Sequence, residues 1–235
     1  MNGVCIVGHT RTFHIHVVQR GFQDVLLPKF PGARVHGILF LDNPDAPISR
    51  FRFDPIAEPP KDVLRFDLVH RISKSTCTEY MKLTGHKMCK EGNVAWMQIA
   101  WVRACFSSLQ RNTTVYVRAR PDSLFVSMPA ISVLPHQVIT WEKRDAPVSD
   151  QFFVMGKTAY ERWFKTFQPN GCCAEYDSAW MRHGSTQNKQ ILGCIVRSRH
   201  TLKCWKQNQS QVNLMTQHLL RSGDQVIRPN KKIVI

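Results

Sequence analysis

The stretch Gly3-Val4-Cys5-Ile6-Val7-Gly8 decides the fold. It is short, rich in β-branched residues and continuously apolar, which is the composition of a strand buried on both faces of a parallel sheet. A polar turn, His9-Thr10-Arg11-Thr12, follows. Phe13, Val17, Val18, Phe22, Val25 and Leu26 then recur at helical spacing until Pro28 and Pro31-Gly32 stop the element, which predicts a helix over 13–27. A second buried strand, Val35-His36-Gly37-Ile38-Leu39-Phe40-Leu41, ends on the turn Asp42-Asn43-Pro44-Asp45 and completes a β-α-β unit.

Outward from that unit the chain keeps alternating. Residues 44–62 are dense in proline and read as a long loop, of the kind that often serves as a lid. A short third strand is expected over 65–70. Val94, Met97, Trp101, Ala104, Cys105 and Ser108 recur at three and four and predict an amphipathic helix over 92–110. The β-branched run 113–120 predicts a strand, and Pro121 ends its ladder. Further strands are expected over 138–141, 150–156 and 190–197, and helices over 157–167, 176–183 and 212–220. This alternation predicts one domain over 1–235: an α/β fold with an open, mixed, mainly parallel sheet flanked by helices. In such sheets ligands bind outside the carboxyl ends of the strands. The turns after residues 7, 41 and 119 are therefore the expected site.

Composition narrows the class. With 235 residues, 43% of them hydrophobic and 21% charged, the chain can bury one large core and is excluded from the disordered class. No run of eighteen apolar residues occurs, and residues 1–8 have neither a basic n-region nor a long apolar h-region, so a soluble, cytoplasmic protein is expected. The eight cysteines form no C-x-x-C pair and several sit in apolar runs, so all are read as reduced, with Cys172-Cys173 as adjacent loop thiols. Two sequons, at Asn112 and Asn208, matter only in a secretory lumen. The net charge of +15 attracts polyanions of any kind. Its basic residues are dispersed, with short clusters such as Arg197-Ser198-Arg199-His200, and no interleaved aromatic platform accompanies them, which disfavours nucleic acid as the partner.

At the first turn Gly8 stands without a G-x-G-x-x-G or a G-x-x-x-x-G-K-[ST] pattern, which argues against a Rossmann dehydrogenase and a P-loop kinase. Thr10, Arg11 and Thr12 form a compact donor set for a ribose, a base edge or a diphosphate, although Arg11 alone fits a surface arginine equally well. The third turn, Arg118-Ala119-Arg120-Pro121-Asp122, gathers two cations and a carboxylate at a strand end. In an extended strand Arg118, Arg120 and Asp122 share one face. Such a set suits a cation-bridged diphosphate, or an Arg–Asp ion pair that closes a turn.

The segments Gly8-His9-Thr10-Arg11-Thr12-Phe13, the helix carrying Gln98, Tyr116-Val117-Arg118-Ala119-Arg120-Pro121-Asp122 and Ser149-Asp150-Gln151-Phe152-Phe153 resemble, in order and spacing, the motifs of small glycosyltransferases of GT-A type. The resemblance covers roughly residues 3–165. It implies a nucleoside-diphosphate sugar as donor, with residues 1–125 as the nucleotide-binding half and 126–235 as the acceptor-side half, and a glycan or glycoprotein as acceptor. Gly8, Thr10, Arg11, Thr12, Asp42, Gln98, Arg118, Arg120 and Asp122 are the expected donor-binding residues, with Asp122 also the ligand of a Mn²⁺ or Mg²⁺ ion. The usual Asp-x-Asp is reduced to a lone Asp122, so Arg118 or Arg120 can take over part or all of the metal's charge.

Transfer with inversion needs a base for the acceptor hydroxyl, and Asp150, at the start of an apolar segment, is the first candidate, with Glu175 and then Asp177 behind it. Asp150 in that position also suits a cap or a turn. Two rival readings share the sequence: a polyanion-binding module for RNA or acidic glycan, in which the charge is the functional feature, and another nucleotide-dependent transferase using the same site.

Overall fold

Strand β1 (Asn2–His9) lies between β2 (Arg34–Phe40) and β4 (Val115–Ala119) and runs parallel to both. In the computed structural model, which describes residues 1–10, 13, 16–41, 64–73, 77–85, 94–141, 152–166, 185–189, 192–198 and 201–204, β1 belongs to a seven-stranded mixed sheet. β3 (Leu68–Ile72) is parallel to β2 at one edge. On the other side β4 pairs antiparallel with β7 (Phe152–Gly156), and β7 antiparallel with β6 (Gln137–Trp141). β6 then pairs parallel with β8 (Ser185–Lys189), giving the order β3-β2-β1-β4-β7-β6-β8. A second sheet of three antiparallel strands joins β5 (Ser123–Ser127), β9 (Leu192–Ser198) and β10 (Thr201–Cys204).

The continuous apolar character of β1 has a direct cause, since successive side chains enter different cores. Val4 and Ile6 pack with Phe13, Val18, Phe22 and Leu26 on one face. Cys5 and Val7 pack with Trp101, Phe106 and Trp163 on the other. That second face is covered by α3 (Val94–Ser108) and α4 (Lys157–Thr166), where Tyr160 stacks on Tyr116 at 3.8 Å.

The helix expected over 13–27 is shorter and changes its winding. α1 covers His16–Arg20, and π-type winding over Gly21–Leu26 and a 3₁₀ turn over Leu27–Lys29 continue it. Gly21 sits at the change because a Cβ there would stand 2.8 Å from the Phe125 carbonyl oxygen, so only a bare backbone can approach β5 this closely. The helix α2 (Cys77–Thr84) was not expected from the sequence. Its stop signal is Gly85, at φ +70, whose N–H donates to the Met81 carbonyl at 2.8 Å as an αL cap.

Two strand expectations are corrected. β3 begins at Leu68 rather than 65: Asp67 keeps one backbone bond to β2, its N–H to the Val35 carbonyl at 2.8 Å, while its carboxylate caps the strand end by accepting from the Val35 N–H at 2.7 Å and from Arg34 Nη1 at 3.0 Å. Pro121 does end the β4 ladder, but the chain turns at once into β5, a strand of the other sheet. The loop over 44–62 and the helices over 176–183 and 212–220 lie outside the described residues.

The reading of all cysteines as reduced is overturned for two of them. Cys5 of β1 and Cys105 of α3 form a disulfide across 100 residues. Both side chains are fully enclosed, with Cys5 at 0% and Cys105 at 1% exposure. The apolar settings that suggested free thiols are the two sides of one core contact. Cutting this tie with Cys105→Ala is expected to lower the unfolding free energy by about 2–4 kcal/mol, since a long closed loop constrains the unfolded chain. A lower urea midpoint checks it.

His36 of β2 is buried against Ser108, with Nδ1 and Oγ 2.7 Å apart. Burial lowers its pKa below the ordinary 6.5, Asp67 opposes that shift, and Arg34 and His70 add to it. The unfolded chain therefore binds more protons near and below pH 6.5 than the folded one, and stability falls as pH drops through that value. A thermal-unfolding series from pH 7.5 to 5.5 should show a smaller loss for His36→Gln than for the parent.

Candidate functional site

In the order β3-β2-β1-β4, the chain moves outward in one direction from β1 to β3 and then returns to place β4 on the other side. The carboxyl ends of β1 and β4 therefore meet at a topological switch point, the position at which open α/β sheets bind ligands. Gly8 stands at the end of β1 there. Its φ of +143 favours glycine, and a Cβ there would lie 3.1 Å from Cδ of Pro121, so the turn after β4 settles over the end of β1.

That turn is Arg120-Pro121-Asp122-Ser123. Ser123 N–H donates to the Arg120 carbonyl at 3.1 Å, with proline at the second position, where its fixed φ suits a β-turn. The turn swings Asp122 back onto Arg120, whose Nε and Nη2 donate to the two carboxylate oxygens at 2.9 and 2.6 Å. Asp122 is completely buried and the Arg120 side chain is 16% exposed. The fork is bidentate and charge-assisted, the strongest form of such a bond.

This corrects the expectation that three charges share one strand face. β4 ends at Ala119, so Asp122 reaches Arg120 through the turn and not along the strand. Arg118 stays inside β4, 2% exposed, in register with Cys5 and Phe153. It lies on the face that α3 covers, as Cys5 and Tyr116 do.

Thr10 is fully buried and fastens the end of β1 to the end of β2. Its N–H donates to the Phe40 carbonyl at 3.0 Å and its hydroxyl to the same oxygen at 3.2 Å. Phe13 N–H donates to the Thr10 carbonyl, closing the turn. The hydroxyl expected to grip a ligand is thus committed to the strand ends.

Gln98 lies within α3, and its side chain is outside the described residues. Arg11, Thr12, Asp42, Asp150 and Glu175 are also outside them. Of the described residues, Thr10 at the end of β1 precedes Arg11, Leu41 after β2, whose N–H donates to the Ile72 carbonyl at 2.8 Å, precedes Asp42, and Phe152, opposite Ala119, opens β7. Because β7 runs antiparallel to β4, the chain enters β7 at the carboxyl end of β4, two residues after Asp150.

Two polar residues escaped the sequence reading. Gln19 is completely buried and donates from Nε2 to the Phe13 carbonyl at 2.9 Å, while its Oε1 meets no donor among the described residues. Its signal was an amide among Val17, Val18 and Phe22. Ser123, also completely buried, follows Asp122, and its hydroxyl has no partner among the described residues.

With the geometry in view, the chain matches no protein-family profile, and a search of curated proteins finds no significant match. No described helix is long and apolar enough to cross a membrane.

Gly8 is the cheapest test of this arrangement. Gly8→Ala places a Cβ against Pro121 at an unfavourable φ, and a loss of about 1–3 kcal/mol is expected in chemical unfolding.

Proposed function

We propose that the chain is a glycosyltransferase of GT-A type that moves a sugar from a nucleoside-diphosphate donor to a hydroxyl of a glycan or glycoprotein acceptor. One observation supports the reading: two of the segments that resemble glycosyltransferase motifs begin or end at the carboxyl ends of β1 and β4, neighbouring parallel strands at which the strand order reverses. Gly8, Thr10 and the Arg120–Asp122 turn stand at those strand ends. Arg11, Thr12, Asp42 and Gln98 are proposed as donor contacts.

In this reading Arg118 acts through its positive field, which favours a diphosphate where its charge grows on bond cleavage, while the charge of Arg120 is balanced by Asp122. Asp150, two residues before β7 in the sequence, is proposed as the base that takes the acceptor hydroxyl's proton, with Glu175 as the second candidate. The divalent cation fits less well. Both oxygens of Asp122 already accept from Arg120, so Asp122 offers a poor ligand to Mn²⁺ or Mg²⁺, and no step is routed through the ion.

On location, the enclosed Cys5–Cys105 bond favours an oxidising compartment over the cytoplasm, where such bonds are rare. The sequon at Asn112 has its asparagine in an exposed turn next to β4, accessible in such a compartment. The second functional reading, a polyanion-binding module, is favoured by the net charge of +15 alone.

A thermal-shift panel of UDP-, GDP-, CMP- and dTDP-sugars, with and without Mn²⁺, separates the readings. The transferase reading expects one nucleotide to raise Tm selectively at 0.15 M salt, the shift to vanish in Asp122→Asn, and the same donor to release nucleoside diphosphate when acceptor is added. Indifference to every nucleotide, together with RNA binding that collapses as salt rises, would replace it with the polyanion module.

A further inference from the structure

Strands β9 and β10 place two cysteines directly opposite one another. Along this antiparallel pair Leu202 is opposite Val196, Lys203 opposite Ile195 and Cys204 opposite Cys194. The juxtaposition depends on an irregularity. Nearer the connection between the strands Thr201 is opposite Ser198, and the register shifts by one residue between Thr201 and Leu202. Had the first register continued, Cys204 would oppose Ile195, and Cys194, one residue away, would stand on the other face of the sheet. The bulge therefore brings cysteine opposite cysteine.

Opposite residues of an antiparallel pair share a face and have Cα atoms about 4.5 or 5.5 Å apart, according to whether they exchange hydrogen bonds. A disulfide needs roughly 4.4–6.8 Å between its Cα atoms, so either arrangement meets the main-chain requirement for a bond. On its other side Cys194 is opposite Leu124 of β5, which is fully buried in the core. The line Leu124, Cys194, Cys204 thus crosses all three strands of the small sheet. Among the described residues β10 is a four-residue strand paired on one side only, so its place in the sheet depends on β9.

We propose that Cys194 and Cys204 form a second disulfide, a cross-strand staple that ties β10 to β9. Its formation is a two-electron oxidation by an exogenous disulfide of the glutathione class. One cysteine thiolate attacks a sulfur of that donor, forming a mixed disulfide and expelling a thiolate, and the other cysteine's thiolate then displaces the second half. The donor's S–S bond breaks, one S–S bond forms in the chain, and the donor leaves as two thiols carrying the two protons and two electrons. The staple constrains the unfolded chain and secures the hairpin that backs β5, the strand entered from the Arg120–Asp122 turn. It uses none of the strand-end residues, so it stands or falls independently of the transferase reading.

Peptide mapping tests it. The full chain is equilibrated with reduced and oxidised glutathione, its free thiols are alkylated, and the monomer band of a non-reducing gel is digested with trypsin. The expected product is peptide 190–197 joined to peptide 204–206 and separated by reduction. In Cys204→Ser, Cys194 should be recovered alkylated or capped by glutathione. The staple is refuted if both cysteines of the parent are recovered alkylated or glutathione-capped, if either is joined to a different cysteine such as Cys172 or Cys173, or if the joined peptides occur only in a dimer band.

Discussion

A strand with hydrogen-bonded neighbours on both edges and a core on both faces leaves polar side chains no exit except its ends. β1 is that strand here, with Gly3 through Val7 buried in sequence. The consequence runs through the whole molecule. Polar chemistry is displaced to the turns, and the turns at the carboxyl ends of β1 and β4 meet because the strand order reverses between them.

What stands at that meeting point is a buried ion pair. Taking Arg120 and Asp122 out of water costs several kcal/mol per ion, which only a well-formed, doubly hydrogen-bonded geometry offsets. The bidentate fork at 2.9 and 2.6 Å supplies that geometry. Such a pair adds little net stability over an apolar substitute, yet breaking it is costly, so its natural role is to fix one conformation. Here it fixes the turn that carries the chain from the large sheet into the small one, over Gly8. Of the two readings the sequence offered for this charged cluster, a cation-bridged diphosphate or an Arg–Asp ion pair that closes a turn, the structure forms the ion pair.

Much of this was legible. The unbroken apolar run of β1, the helical spacing of Trp101, Cys105 and Ser108 in α3, and the β-branched run of β4 each carried a strong periodic signal, and each element lies where expected. The failures have physical reasons. β5 hid behind Pro121, which breaks one ladder but allows a new strand in another sheet. α2 is short and gains its stability from Tyr80 against Trp101, a contact no local pattern announces. The disulfide escaped because apolar surroundings are shared by free and bonded cysteines, and pairing across 100 residues is a property of the fold alone. The Arg–Asp ion pair closing the turn after β4 was legible as one of two readings of that charged cluster. The use of Thr10 to join β1 to β2 was not, since hydrogen-bond partners are chosen by tertiary geometry.

The central claim is that Arg120 and Asp122 act as one buried, coupled unit that organises the strand-end site. A double-mutant cycle, Arg120→Gln, Asp122→Asn and the pair, read by urea unfolding, measures that coupling directly. The account predicts a coupling of about 2 kcal/mol or more, as expected for a desolvated bidentate pair and well above the surface range. Additive effects, with a coupling under about 0.5 kcal/mol, would show that the two side chains are independent and that the turn is held by something else.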